Sequence, residues 1–248
     1  MSGLDLSGKV GVVTGAASGI GRATVVALSS YGANVVACDR DADGLATLGE
    51  AKLTSTLDVR DVDAVSAFAD NVASAFGGID ILVNNAGGTF ISLFSDLAPK
   101  GDETLVRENL LSVAWVTRAF LPVLRDGGAI VNVTSIEAYR AAPMYSLYAA
   151  AKAGVENLTR TLALELGARN VRVNAVAPDV IATPGVGDLQ SSVRPPIGRI
   201  GRPEEVASVI AFLASDLASY VTGSTVHVDG GNLAAAGWRI SPEGGWTP

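Results

Sequence analysis

The 248 residues, 48% of them hydrophobic and 28 of them glycine, suffice for one large α/β domain spanning 1–248 and leave no room for two comfortable ones. Eighteen basic against 25 acidic side chains give a net charge of −7, and with no basic run this disfavours nucleic acid or an anionic membrane surface as the main partner. A single cysteine, Cys38, excludes an intramolecular disulfide; with no basic leader region and no apolar run of roughly 18 residues, the composition predicts a soluble, cytoplasmic protein.

The first predicted strand is the apolar run at 10–14, followed at once by Gly15-Ala16-Ala17-Ser18-Gly19-Ile20-Gly21 and a helical pattern. Strand, glycine turn and helix make a phosphate cradle: Gly15 allows the tight turn, Gly19 lets backbone approach a pyrophosphate, and Gly21 permits close helix packing. A second strand at 34–38 carries a thiol expected to be buried and structural, Cys38, and leads into Asp39, about 20 residues past the turn, where dinucleotide folds bind the adenosine ribose. A carboxylate there accepts from both ribose hydroxyls and repels a 2′-phosphate, so Asp39 predicts NAD over NADP, with Arg40 beside it as the opposing signal. Further strands are predicted near 53–57, 79–83, 129–134, 171–176 and 224–228, alternating with helical segments. Seven strands with helical crossovers mean a parallel, doubly wound α/β sheet with helices on both faces, and a ligand site beyond the strands' carboxyl ends.

Tyr148 and Lys152, four residues apart, share one face of a predicted helix. An ammonium beside a phenol favours the phenolate, so the pair is expected to lower the tyrosine pKa and to act as an acid/base near neutrality. Pro203-Glu204-Glu205 opens a scaffold helix, with carboxylates at the positive end of its dipole. His227, the one histidine, falls in the last strand as a structural residue, and zinc ligands are wanting.

These residues, with Asn84-Asn85-Ala86-Gly87, Ser135 and the tyrosine–lysine pair in order and at matching distances, resemble the short-chain dehydrogenase/reductase family in its compact form, over about residues 6 to 231. The resemblance implies a Rossmann-type fold and a catalytic tetrad of Asn109, Ser135, Tyr148 and Lys152. It further implies cofactor contacts from Gly15, Ser18, Gly19, Ile20, Gly21, Asp39, Arg40, Asp58, Val59, Asn85, Ala86 and Gly87. Pro178, Ile181 and Thr183 match the family's later cofactor segment, and Tyr148 and Lys152 also reach the nicotinamide ribose. One departure is Asp179, where the family has glycine; a side chain there restricts a backbone that glycine would leave free.

The implied mechanism has Tyr148 exchanging a proton with a secondary alcohol or ketone while hydride passes to or from the nicotinamide. Ser135 donates to the carbonyl oxygen, Lys152 lowers the Tyr148 pKa, and Asn109 holds a water leading from Lys152 to solvent. Residues 184–202 take the place of the family's substrate lid; a mobile lid suits a bulky, apolar or cyclic substrate, and a lid that orders fully over a small pocket is the alternative. Phe90, Met144 and Tyr145 are candidate pocket walls, and Glu137 either meets a polar substrate group or pairs with Arg140. Trp238 and Trp246, on a tail over 232–248, are expected to dock on a neighbouring subunit of a homotetramer. Two alternatives stand beside this reading: a 3-oxoacyl carrier-protein reductase and a non-catalytic dinucleotide-binding regulator.

Overall fold

Val10-Gly11-Val12-Val13-Thr14 offers β-branched side chains to both faces of a strand, so both faces need cover, and a parallel sheet between two helical layers supplies it. The structure is a computed structural model that describes residues 3–186, 195–240 and 245–247. There this run is β1 (Val10–Thr14), paired in parallel with β2 (Asn34–Asp39) on one side and β4 (Ile79–Asn84) on the other. With β3 (Leu53–Thr56), β5 (Leu124–Val133), β6 (Arg172–Pro178) and β7 (Thr225–Val228) they form one parallel seven-stranded sheet, in the order β3-β2-β1-β4-β5-β6-β7. The predicted doubly wound α/β architecture is the observed one.

The helices are α1 (Gly19–Ser30), α2 (Ala42–Ala46), α3 (Val62–Phe76), α4 (Pro99–Val106), α5 (Ser112–Phe120), α6 (Ser146–Glu165), α7 (Pro203–Ala214) and α8 (Asn232–Ala235). Neighbouring strand residues feed opposite layers. Val13 packs into the cluster that holds Val25 and Leu28 of α1 and Ile210 of α7, while Val12 joins the one that holds Val65 and Phe68 of α3 and Phe120 of α5. Phe68 and Phe120 meet edge to face at 5.6 Å; burying each ring contributes about 2–3 kcal/mol. Local chemistry fixes the helix ends. The Asp61 carboxylate accepts from the N–H groups of Asp63 and Ala64 at the start of α3, and Gly77 closes that helix in the left-handed region at φ 68°. Pro203 opens α7, where the Glu205 carboxylate accepts the Arg202 N–H at 2.8 Å.

From β1 the chain runs outward to β3, then crosses back over β1 to place β4 on its other side. The crevice at that reversal, beyond the carboxyl ends of β1 and β4, is where such sheets bind ligands. Of the segment expected to form a lid, 184–202, residues 187–194 lie outside the described residues. Its two ends are joined by a bridge between Ile181 and Gly201. The tail forms α8 and two short strands, β8 (Arg239–Ile240) and β9 (Trp246–Thr247), which pair antiparallel. Among the described residues no helix is long and apolar enough to cross a membrane.

Candidate active site

The carboxyl ends of the central strands open into a cleft of about 800 Å³, within the range of small-molecule and cofactor sites. Its first half is built on the glycine turn. Gly15 and Gly19 have φ of 65° and 53°, and a Cβ on Gly15 would lie 2.8 Å from Ala86 Cα. A Cβ on Gly21 would lie 2.0 Å from the Gly15 carbonyl oxygen, so Gly21 sits behind the cleft and lets α1 approach β1, while Ser18, Gly19 and Ile20 line it. Ser18 is the N-cap of α1, and among the described residues its side chain makes no capping hydrogen bond, which leaves the first N–H groups of the helix open to an anion.

Asn85 ties the next loop to this turn: its amide donates to the carbonyls of Thr14 and Gly15, both at 3.0 Å, and the Thr14 hydroxyl accepts from the N–H groups of Asn85 and Ala86. Asp39, at the end of β2, accepts from the Ala17 N–H at 2.9 Å and the Asp41 N–H at 3.1 Å, which turns its carboxylate toward the glycine loop. Arg40 also lines the cleft and lies 3.8 Å from Glu108. Asp58 and Val59 form the wall beyond β3; hydrogen bonds from the Arg60 guanidinium hold the Asp58 carboxyl below the usual carboxylate range. Gly87, Pro178, Ile181 and Thr183 complete this half. The bare glycine surfaces, the open helix start and the oriented carboxylate fit a nicotinamide dinucleotide. Asp179 leaves the backbone undisturbed: the described non-glycine residues with positive φ are Met144, Asn170 and Ala236.

Ser135 follows β5, and Tyr148 and Lys152 rise from the first turns of α6. The Ser135 and Tyr148 side chains both line the cleft, near enough for the serine to act on the phenol. Lys152 is buried, with Nζ donating to the Val133 carbonyl at 3.0 Å and lying 5.6 Å from the Tyr148 ring centroid. Asn109 lies in a π-helical turn, Arg107–Leu111, between α4 and α5; its amide donates to the carbonyls of Gly88 and Leu105, and its oxygen accepts the Gly88 N–H. The same oxygen and Lys152 Nζ would lie 2.8 and 3.3 Å from a Cβ on Gly87, so the four expected catalytic residues converge on one wall.

Their electrostatics correct one expectation. Burial pushes the Tyr148 phenol up to about 12, against the downward pull of the Ser135 hydrogen bond, and burial pulls the Lys152 ammonium down to about 8. The loss of water around the phenol outweighs the neighbouring polar groups.

At the far end of the cleft stand Glu137, Met144 and Tyr145, as expected. Met144 is held at φ 71°, and its carbonyl accepts the Ser92 N–H at 3.1 Å. The Tyr145 ring lies 6.5 Å from that of Tyr148. Phe90 is a correction: the neighbouring Ile91 lines the cleft, while Phe90 is half-exposed and turned toward Gly101, because side chains alternate along this extended loop. Glu137 does pair with Arg140, at 2.8 Å. Sequence reasoning missed Asn232, whose amide donates to Asp179 at 2.6 Å; the tail gives no local signal of this return. Cys38 is buried as expected, and burial pushes its thiol up. The His227 ring packs edge-on against Tyr139 at 4.7 Å. Among the described residues no cluster of His, Cys, Asp and Glu could hold a metal.

A doubly wound sheet whose switch-point cleft joins a glycine cradle to a half-buried tyrosine and a buried serine and lysine defines an oxidoreductase of the dinucleotide-binding class. A family model described as enoyl-(acyl carrier protein) reductase matches residues 15–232. The chain is 42% identical over 243 residues to the 3-oxoacyl-[acyl-carrier-protein] reductase FabG of Thermotoga maritima, covering 92% of this chain and 99% of that one. It is 44% identical over 241 residues to cis-4-hydroxycyclohexanecarboxylate dehydrogenase of Sinomonas cyclohexanicum, covering 91% and 97%. A mutant short-chain dehydrogenase/reductase of Serratia marcescens superposes with a TM-score of 0.87 at 32% identity, over 92% of this chain and 99% of that one. The protein belongs to the short-chain dehydrogenase/reductase family, whose members use a nicotinamide dinucleotide.

Proposed function

We propose that the chain is a single cytoplasmic catalytic domain over 1–248 that interconverts a secondary alcohol and its ketone with NAD. The observation that carries this reading is that Ser135, Tyr148 and Lys152 line one cleft with the glycine cradle, Lys152 Nζ lying 5.6 Å from the Tyr148 ring. When bound, the nicotinamide accepts hydride from the carbinol carbon or returns it to the carbonyl. In oxidation the Tyr148 phenolate takes the hydroxyl proton as the C–H bond breaks; in reduction the Tyr148 phenol gives its proton to the carbonyl oxygen. Ser135 donates to the same oxygen and stabilises the charge that develops there. Lys152 holds a positive charge near the phenolate, and Asn109 braces the Gly88 backbone where it lines the cleft.

Asp39 supports NAD over NADP, because a 2′-phosphate would meet its carboxylate. The walls at Ile91, Met144, Tyr145 and Val186 suit a cyclic substrate. A homotetramer is the proposed assembly. A second reading, 3-oxoacyl carrier-protein reductase, is favoured by the Thermotoga maritima relative; Asp39 and the net charge of −7 oppose it, since the partner would be acidic.

Following nicotinamide absorbance with NAD and NADP over a panel of secondary alcohols, β-ketoacyl thioesters and their reduced forms tests both readings. Turnover of alcohols with NAD is expected, lower by about 10²–10⁴-fold in Tyr148→Phe. Asp39→Ser should reduce the NAD preference by about tenfold or more. Thioester reduction with NADPH alone would favour the second reading.

A further inference from the structure

The far end of the cleft holds more charge than hydride transfer requires. Glu137 stands two residues past Ser135; its N–H donates to Ser135 Oγ at 3.2 Å, and its side chain lines the same cleft as Ser135 and Tyr148. Arg140 grips it through Nη2 at 2.8 Å and Nε at 3.3 Å, and reaches within 3.9 Å of Asp179. Asp179 in turn accepts from Asn232, and all four side chains line the cleft. Glu137 and Arg140 are only three residues apart in one loop, so their pairing adds little to tertiary stability.

The row sets two carboxylates against one guanidinium, and Asp229 also acts on Arg140. A neutral hydroxyl can donate to Glu137 and accept from Arg140 without disturbing that balance. An anionic substituent would have to draw Arg140 from Glu137 and lie next to like charges. We propose that Glu137, Arg140 and Asp179 form a polar subsite that reads a second hydroxyl near the carbinol and turns away anionic substrates. This rests on the dehydrogenase reading above.

Three matched ring alcohols test it: cyclohexanol, trans-cyclohexane-1,2-diol and trans-2-hydroxycyclohexanecarboxylate, each assayed with NAD and NADP. The wild type should show kcat/KM highest for the diol and lowest for the hydroxy acid. In Glu137→Gln the ratio of diol to cyclohexanol should fall by about tenfold, chiefly through KM. Asp179→Asn, which keeps a partner for Asn232, should raise the hydroxy acid relative to the diol by a similar factor. An unchanged diol ratio in Glu137→Gln, or a wild type that prefers the hydroxy acid, overturns the subsite and leaves the dehydrogenase standing. Absence of turnover for every ring alcohol with either cofactor, while β-ketoacyl thioesters are reduced, overturns both.

Discussion

A phenol and an ammonium one helical turn apart relieve each other only if burial does not cost them more than they gain, and here the two groups respond to burial in opposite senses. The Lys152 value falls from 10.5 to about 8, so between those pH values the unfolded chain binds more protons than the folded one. Its contribution to stability is full above the unfolded value and is lost as pH falls through about 8. The Tyr148 value rises from 10.0 to about 12, so its contribution is full below 10 and is lost as pH climbs through about 12. Urea unfolding of the cofactor-free protein should therefore show stability from this pair rising between pH 8 and 10, by up to about 3 kcal/mol. Lys152→Met should flatten that rise, and the wild-type minus Tyr148→Phe difference in tyrosinate absorbance should stay near zero below pH 10. A rise that survives in Lys152→Met would assign it to another group. The residue types and spacing of the pair were legible in the sequence; the sign of the shift was not, because it depends on how far the fold takes water from each group.

At the scale of elements, the geometry of the site depends on how α6 is held against the sheet. Glu156, one turn beyond Lys152 and 3% exposed, accepts the Thr134 hydroxyl at 2.6 Å and the Thr225 hydroxyl at 2.5 Å. Thr134 adjoins Ser135, so one carboxylate ties the helix that carries Tyr148 to the strand end that carries its hydroxyl partner. Glu156→Gln presents an amide where two hydroxyls donate, and should cost about 1.5–3 kcal/mol in chemical unfolding. As a positioning residue it should also lower kcat by about tenfold with the KM for NAD unchanged. A drop in unfolding midpoint with unaltered kcat would make the tie purely structural. Such contacts, 22 and 69 residues apart, leave no local pattern to read. The strands do leave one, with an instructive exception: β5 starts at Leu124, ahead of the expected 129. Asp126-Gly127-Gly128 reads as a turn, yet a shift in register opposite Ile79–Ile81 absorbs those residues within the strand. The pairs β1 to β4 and their glycine turn followed directly from β-branched runs and the residues that end them.

At the scale of the whole molecule, the sheet order places every motif legible in the sequence at one end of the strands and leaves apolar surface elsewhere. Leu164 on α6 is 85% exposed, Tyr220 is fully exposed and Trp238 is 53% exposed. Each is a place where a second copy would bury apolar area if it packed there. Trp238 lies just past α8, and Asn232 of α8 bonds Asp179 in the cleft, so whatever covers the tryptophan is coupled to the substrate end of the site. A second copy of the chain is the cover we expect, in a homotetramer of 25.2 kDa subunits. Light scattering should give a mass four times that of the chain. Trp238→Ser should shift the equilibrium toward smaller species and, because Trp238 follows closely on α8, whose Asn232 bonds Asp179, raise the KM for substrate by more than the KM for the cofactor. A monomeric wild type would overturn the assembly. A tetramer that Trp238→Ser leaves intact in mass but impaired in substrate KM would keep the link between tail and cleft while moving the interface to the faces around Leu164 and Tyr220.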